Sequence, residues 1–248
     1  MPINLNVPKT AGLFITGTDI GVGKTVIAGA IARILVNKGL KAGVFKPVAT
    51  GCHRSWDGVV SHDTEFLSCC ANSDLPLTTI TPVGYLTTAG PLVSAVRERK
   101  PIDFDKIADA YKKICQNSDL VIVEGIGGVR VPLTPQFDLL DLAVEFDLPM
   151  VIVARSGPGT VNHTLMTIDC VRSAKLKIAG VVINSYDGTK ATIAEDTAGQ
   201  LIAQFGDVSI LAEVPFDESI CLKEADLGEV IVGSLAGCDW EKLAQQHI

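Results

Sequence analysis

Phe14-Ile15-Thr16-Gly17-Thr18-Asp19-Ile20-Gly21-Val22-Gly23-Lys24-Thr25 runs from an apolar stretch, through glycines, into a segment with helical spacing. Strand, glycine turn and helix in that order read as a phosphate-binding loop. Glycines let backbone N–H groups turn inward on phosphate oxygens, and the helix N-terminus adds its partial positive charge. A lysine in the place of Lys24 reaches the terminal phosphates, and a hydroxyl in the place of Thr25 ligates Mg²⁺. Five residues, not four, separate Gly17 from Gly23, so Thr18 stands where the standard loop has its first glycine. One branch of phosphate-loop proteins carries that variant.

Outward from the loop, short apolar runs recur at Gly12–Thr16, Ala42–Lys46, Leu120–Glu124, Met150–Ala154, Ala179–Asn184 and Val208–Val214. Most are rich in Val and Ile and apolar at successive positions. Strands covered on both faces of a parallel sheet read that way. Between them lie helical patterns at Thr25–Lys38, Asp103–Gln116, Asp138–Phe146, Thr160–Ala174 and Ala191–Phe205. The expected fold is α/β, a single-domain parallel sheet over residues 1–248 with helices on both faces. Residues 1–10 read as an N-terminal tail. Residues 50–100, with prolines at 76, 82 and 91, read as an irregular segment on the substrate side, with a helix at Asp63–Cys70.

Ligands of an open parallel sheet gather at the carboxyl ends of its strands. Lys46 ends the second apolar run and is followed by Pro47 and Gly51, which fix the turn. A lysine there holds a γ-phosphate and stabilises charge during transfer. Glu124 ends the buried run 120–124 before Gly125-Ile126-Gly127-Gly128 and is placed like a carboxylate that holds Mg²⁺. Asp63 opens a helix, where an acid is either a cap or a ligand. Ser156 to Thr164 also lead from a strand into a helix, whose free N–H groups suit a carboxylate. His163 reads as a hydrogen-bonded structural residue.

Composition narrows the field. Forty-seven per cent apolar residues and 20% charged describe a globular chain. Twenty-one basic against 28 acidic residues leave a net charge of −7. That balance argues against binding nucleic acid, which needs a basic surface. No apolar run is long enough for a membrane span, and MPINLNVPKT lacks a secretion pattern. Seven cysteines at irregular spacing give neither a disulfide framework nor a zinc ribbon. The expected location is the cytoplasm. Cys52-His53 with His62-Asp63 comes nearest to a metal cluster, and its spacing reads as loop residues with one functional carboxylate.

The ordered set GTDIGVGKT, FKPVATG, HDTEF, VEGIGG, GTVNHT, GVVIN and AEVP, from about Gly12 to Pro215, resembles the dethiobiotin synthetases. The resemblance implies an ATP- and Mg²⁺-dependent ligase that closes a ureido ring on 7,8-diaminononanoate with CO₂. It implies that Gly21, Val22, Gly23, Lys24, Thr25 and Val26 cradle the triphosphate, with Thr25, Asp63 and Glu124 on Mg²⁺. Lys46 would lie between γ-phosphate and carbamate as the essential catalytic residue, with Lys24 beside it. Thr50 would touch the diamine, and Gly125, Ile126 and Gly127 would line the same site. Asn184 would read the adenine edge, with Pro215 and Phe216 over the base. Gly159, Thr160, Val161 and Asn162 would hold the substrate carboxylate across a homodimer interface. The chain departs from the family pattern at Ile20, where a second threonine is common, and at Gly90 and Leu92, where a hydroxylated residue and a histidine often flank the proline.

Two other functions share this core: an amidating ligase of the corrinoid type, and a partitioning or positioning ATPase that acts as a switch. The first needs a nucleophilic cysteine, and no cysteine here sits in a nucleophile-like turn. The second usually has a lysine near the start of the loop, where this chain has Asp19. Residues Trp240–His247 read as a terminal helix with a packing role.

Overall fold

The apolar runs of the sequence assemble into one six-stranded parallel sheet in the computed structural model, which describes residues 4–56, 58–222 and 227–245. The first half of the chain forms β1 (Gly12–Gly17), α1 (Lys24–Asn37), β2 (Ala42–Phe45), β3 (Val48–Ala49), β4 (His53–Ser55), β5 (Gly58–Val60), α2 (His62–Cys70), α3 (Leu77–Ile80), β6 (Val83–Gly84) and α4 (Pro91–Arg97). There follow α5 (Phe104–Gln116), β7 (Leu120–Gly128), α6 (Leu139–Phe146), β8 (Met150–Arg155), α7 (Thr160–Ser173) and β9 (Ile178–Tyr186). The last elements are α8 (Ile193–Asp196), α9 (Ala198–Gly206), β10 (Ile210–Pro215), α10 (Glu229–Leu235) and α11 (Trp240–Ala244).

The strand order is β10-β9-β8-β1-β7-β2, and every pairing is parallel. Successive side chains of a strand point to opposite faces, which explains the unbroken apolar runs. Phe14, Val121, Val123, Ile152, Val181 and Ile183 face a layer containing Ile107, Tyr111, Phe146 and Ile168. Leu13, Ile15, Ile122, Val151, Val153 and Val182 face the other layer, with Ile27, Ile31, Leu235 and Trp240. β1 lies in the middle of the sheet, and the chain reaches strands on either side of it. Its carboxyl end therefore opens on the crevice where such folds bind ligands.

Several sequence expectations are corrected in detail. The helix expected over Ala191–Phe205 breaks at Thr197 into α8 and α9. Thr192 and Glu195 form a capping box, and the Thr197 hydroxyl donates back to the Ile193 carbonyl at 2.8 Å. That local bond competes with helix propagation. The strand expected to end at Glu124 continues as β7 as far as Gly128. It is bulged: the register against β1 slips between Ile15, paired with Glu124, and Gly17, paired with Gly128. The tail is tied down at Leu5, which is buried and whose N–H donates to Glu145 Oε2 at 2.7 Å. Residues 50–100 carry the β4–β5 pair, the strand β6 that pairs with β3, and three helices instead of irregular chain. Trp240 is fully buried and its Nε1–H donates to Leu235 O at 2.8 Å; His247 lies outside the described residues.

α2 packs on α1 at Gly29, where an added Cβ would lie 2.5 Å from the Phe66 ring and 3.0 Å from Cys70 Sγ. The glycine lets the two helices approach and brings the N-terminus of α2 to the crevice. Burial at this contact pushes the Cys70 thiol up to about 12, while the adjacent Cys69 is exposed. The thiolate is the reactive form. Iodoacetamide at neutral pH should therefore label Cys69 in the native protein and reach Cys70 only after denaturation, as peptide mass mapping would show.

Candidate active site

The phosphate loop has the conformation its glycines require. Gly21 and Gly23 have φ of 72° and 95°, a region that costs side-chain-bearing residues energy. Gly23 is the N-cap of α1, and no side chain caps that end. The first-turn N–H groups of a helix have no intrahelical partner, so here they are available to an anion. Gly23 is also pressed from outside: a Cβ would lie 2.0 Å from Asn184 Nδ2. The Asn184 amide is buried and donates to Val22 O at 2.9 Å, so β9 braces the loop from behind. The Lys24 ammonium donates to the Asp19 carbonyl of its own loop at 2.8 Å.

Lys46 lies one residue past the end of β2, where the chain leaves the sheet. Its backbone N–H is held by Ile80 O at 2.8 Å, and its side chain is 4% exposed. The ammonium donates to Asp63 Oδ2 and to Glu124 Oε1, the latter at 3.0 Å. Thr25 Oγ1 donates to the same Glu124 oxygen at 2.8 Å. The other Glu124 oxygen is buried and has no hydrogen-bond partner among the described residues. Thr25, Asp63 and Glu124 thus present only oxygen donors, one of them unsatisfied, which suits a hard divalent cation.

Burial works against the charge of each group. It lowers the Lys46 pKa, but Glu124 and Asp63 together outweigh it and hold the ammonium above its ordinary value. Burial raises the Glu124 carboxyl, against the pull of Lys46 and with the push of Asp63. Burial also lowers Lys24, opposed mainly by Glu124 and reinforced by Lys46. Lys46 is therefore a fixed cation, and Glu124 is a carboxylate whose charge a second cation would stabilise.

These groups share a cleft of about 570 Å³ lined by Gly21, Gly23, Lys24, Thr25, Val26, Lys46, Thr50, Asp63, Glu124, Gly125, Ile126 and Gly127. Val22 turns inward and is buried. Thr88, Ala89, Gly90, Pro91, Val131 and Leu222 complete the wall. Thr88 had no signal in the sequence beyond a threonine-rich stretch, and its hydroxyl would meet a Cβ on Gly51 at 3.2 Å. Ile20 forms the rim and is exposed.

Other sequence-named residues lie elsewhere. Thr160 lines a neighbouring groove with Thr18, Asp19, Arg155, Gly157 and His163, on the far side of Ile20. Its hydroxyl oxygen is buried and has no hydrogen-bond partner among the described residues. Gly159 is the left-handed N-cap of α7, and Val161 and Asn162 follow Thr160 in the first turn of that helix. Pro215 ends β10, with Phe216 exposed beyond it. None of these lines the phosphate cleft. The cap reading of Asp63 is corrected: Ser61 caps α2, accepting from Thr64 N–H at 3.2 Å. Ser61→Ala should cost about 1 kcal/mol of stability. Asp63→Asn should leave that cap in place, since the Asp63 side chain takes no part in it.

An AAA domain family model matches residues 11–221. The chain is 35% identical over 213 residues to the ATP-dependent dethiobiotin synthetase BioD of Thermodesulfovibrio yellowstonii, covering 83% of this chain and 89% of that one. It is 36% identical over 203 residues to the enzyme of the same name from Methanococcus vannielii, covering 82% and 92%. In fold it is similar to the cell division protein MinD of Aquifex aeolicus, with a TM-score of 0.57, 14% identity and 96% of each chain covered. The septum site-determining protein MinD of Pyrococcus horikoshii gives a TM-score of 0.56 at 17% identity, over 95% of this chain and 94% of that one. No described helix is long and apolar enough to cross a membrane.

Proposed function

Since this chain belongs to the dethiobiotin synthetases, a family of ATP-dependent ligases, we propose that it joins CO₂ to 7,8-diaminononanoate and closes the ureido ring of dethiobiotin. The observation that carries this reading is Lys46, a buried cation held between two carboxylates at the wall of the phosphate cleft.

One amine of the diamine adds to CO₂ and loses a proton, giving a carbamate. A carbamate oxygen attacks the γ-phosphorus, the bond to the bridging oxygen breaks, and ADP leaves. The product is a carbamic-phosphoric anhydride. The second amine attacks its carbonyl carbon and loses a proton, a C–N bond forms, the C–O bond to phosphate breaks, phosphate departs carrying the pair, and the ring closes. No protein nucleophile is needed. The chain positions the partners and stabilises developing phosphoryl charge. Lys24 leaves the Asp19 carbonyl for the β- and γ-phosphates, with the N–H groups of Gly21 to Val26 around them. Lys46 faces the γ-phosphate and the carbamate. Thr25, Asp63 and Glu124 would hold Mg²⁺, which neutralises charge on the β- and γ-oxygens when bound. Thr50 and the β7 end, Gly125 to Gly127, wall the diamine side.

The base would lie towards Asn184, Pro215 and Phe216. Gly159 to Asn162 lie across Ile20 from the cleft, so they would serve the diamine carboxylate in the site of a second copy. The homodimer with shared sites is what the resemblance to the family implies. Purified protein with ATP, Mg²⁺, bicarbonate and the diamine should release ADP only when all are present, and dethiobiotin should form. ADP release indifferent to the diamine would contradict this reading and favour a nucleotide switch.

A further inference from the structure

Beside the phosphate cleft, the β4–β5 hairpin folds over the first turn of α2. His53 on β4 and His62 and Glu65 on α2 meet there. His62 and Glu65 are three apart and share a helix face. Asp63 projects from the next position round the helix, towards Lys46. We propose that His53, His62 and Glu65 form a binding site for a zinc-class divalent transition metal, separate from the triphosphate cleft.

Geometry and donor type carry the proposal. Glu65 Oε1 lies 3.5 Å from His53 Nε2, and Glu65 Oε2 lies 3.0 Å from His62 Nδ1. Tetrahedral zinc with nitrogen and oxygen bonds of about 2.0–2.1 Å needs ligand atoms about 3.3–3.4 Å apart. Each histidine nitrogen thus lies near that separation from one oxygen of the Glu65 carboxylate, and one candidate ligand atom from each of the three residues lies within 4.8 Å of the others. The two imidazoles stack with centroids 4.7 Å apart, and each has a nitrogen close to the same carboxylate. Lone pairs lie in the ring planes, so metal binding requires the imidazoles to swing out of this 29° stack until both nitrogens face one ion. Two histidines and a glutamate, partly open to solvent, are the donor set of zinc sites that keep a water as fourth ligand. Mg²⁺ prefers oxygen donors and is the wrong ion for this set. The site ties the hairpin to the helix that carries Asp63, so its occupancy would fix one wall of the cleft.

Cobalt reports the coordination directly. Chelator-treated full-length protein, with thiols blocked by iodoacetamide and no nucleotide present, should take up one equivalent of Co²⁺. The visible d–d bands should be intense, as in four- or five-coordinate cobalt. Excess Mg²⁺ should leave them unchanged, and one equivalent of Zn²⁺ should erase them. His53→Ala and His62→Ala should each weaken Co²⁺ binding at least about 100-fold, beyond the 10–100-fold that a merely supporting residue costs. Glu65→Gln should weaken it too, with thermal melts of all three variants close to wild type. Displacement of cobalt by Mg²⁺, a weak octahedral spectrum, or unaltered binding by the folded histidine variants would overturn the proposal.

Discussion

Lys46→Met should fold, bind ATP and turn over about 10²–10³-fold more slowly, the scale lost when one preorganised donor to a developing oxyanion is removed. The substitution also strips Glu124 of its counter-charge. Glu124 is 1% exposed and already has a raised pKa from burial. Breaking a buried pair by removing one partner costs about 3–5 kcal/mol. The single variant should therefore melt well below wild type. Lys46→Met with Glu124→Gln removes both charges, keeps the side-chain shapes, and should regain most of that loss while remaining inactive. Stability and activity then separate, which a purely structural lysine would not allow. Ring closure by folded Lys46→Met at close to the wild-type rate would remove the catalytic role.

Gly23→Ala should be the most damaging change in the loop itself. The new Cβ meets Asn184 Nδ2 at 2.0 Å on a backbone with φ of 95°. To relieve the contact, the Asn184 amide must give up its 2.9 Å bond to Val22 O. Backbone strain in such a region costs about 1–3 kcal/mol, and a buried unpaired polar group costs about 1–3 kcal/mol more. Calorimetry should show a loss of that summed order, and ATP affinity should fall at least about tenfold, one decade for each 1.4 kcal/mol passed on to binding. Asn184→Ala in the same background should recover the steric part of the stability and leave the φ strain. Full recovery, or none, would show that the two contributions are not divided this way.

The fold was legible because its strands are buried on both faces. Unbroken runs such as Leu120–Val123 permit few other readings. Lys24, Thr25 and Glu124 were legible for a related reason: each stands at the carboxyl end of such a strand or just after it. What the sequence hid depends on contacts between distant segments. Nothing local indicates that Asn184 braces Val22, a contact across 162 residues. The bulge that carries β7 past Glu124 depends on β1 pairing beside it. The break at Thr197 turns on a hydroxyl bonding back to Ile193, which an apolar period cannot reveal. Cys52-His53 with His62-Asp63 came nearest to a metal cluster in the sequence and read as loop residues, but Cys52 precedes β4 while His53 begins it. Cys52 is buried, and Glu65 takes the third place beside the two histidines.

A crystal structure of the protein with Mg²⁺ and a non-hydrolysable ATP analogue bears most directly on the arrangement argued above. The γ-phosphate should lie between the ammonium groups of Lys24 and Lys46, with the ion against Thr25 Oγ1 and the buried carboxylate of Glu124. A triphosphate seated away from Lys46, or an ion that leaves Glu124 untouched, would contradict it.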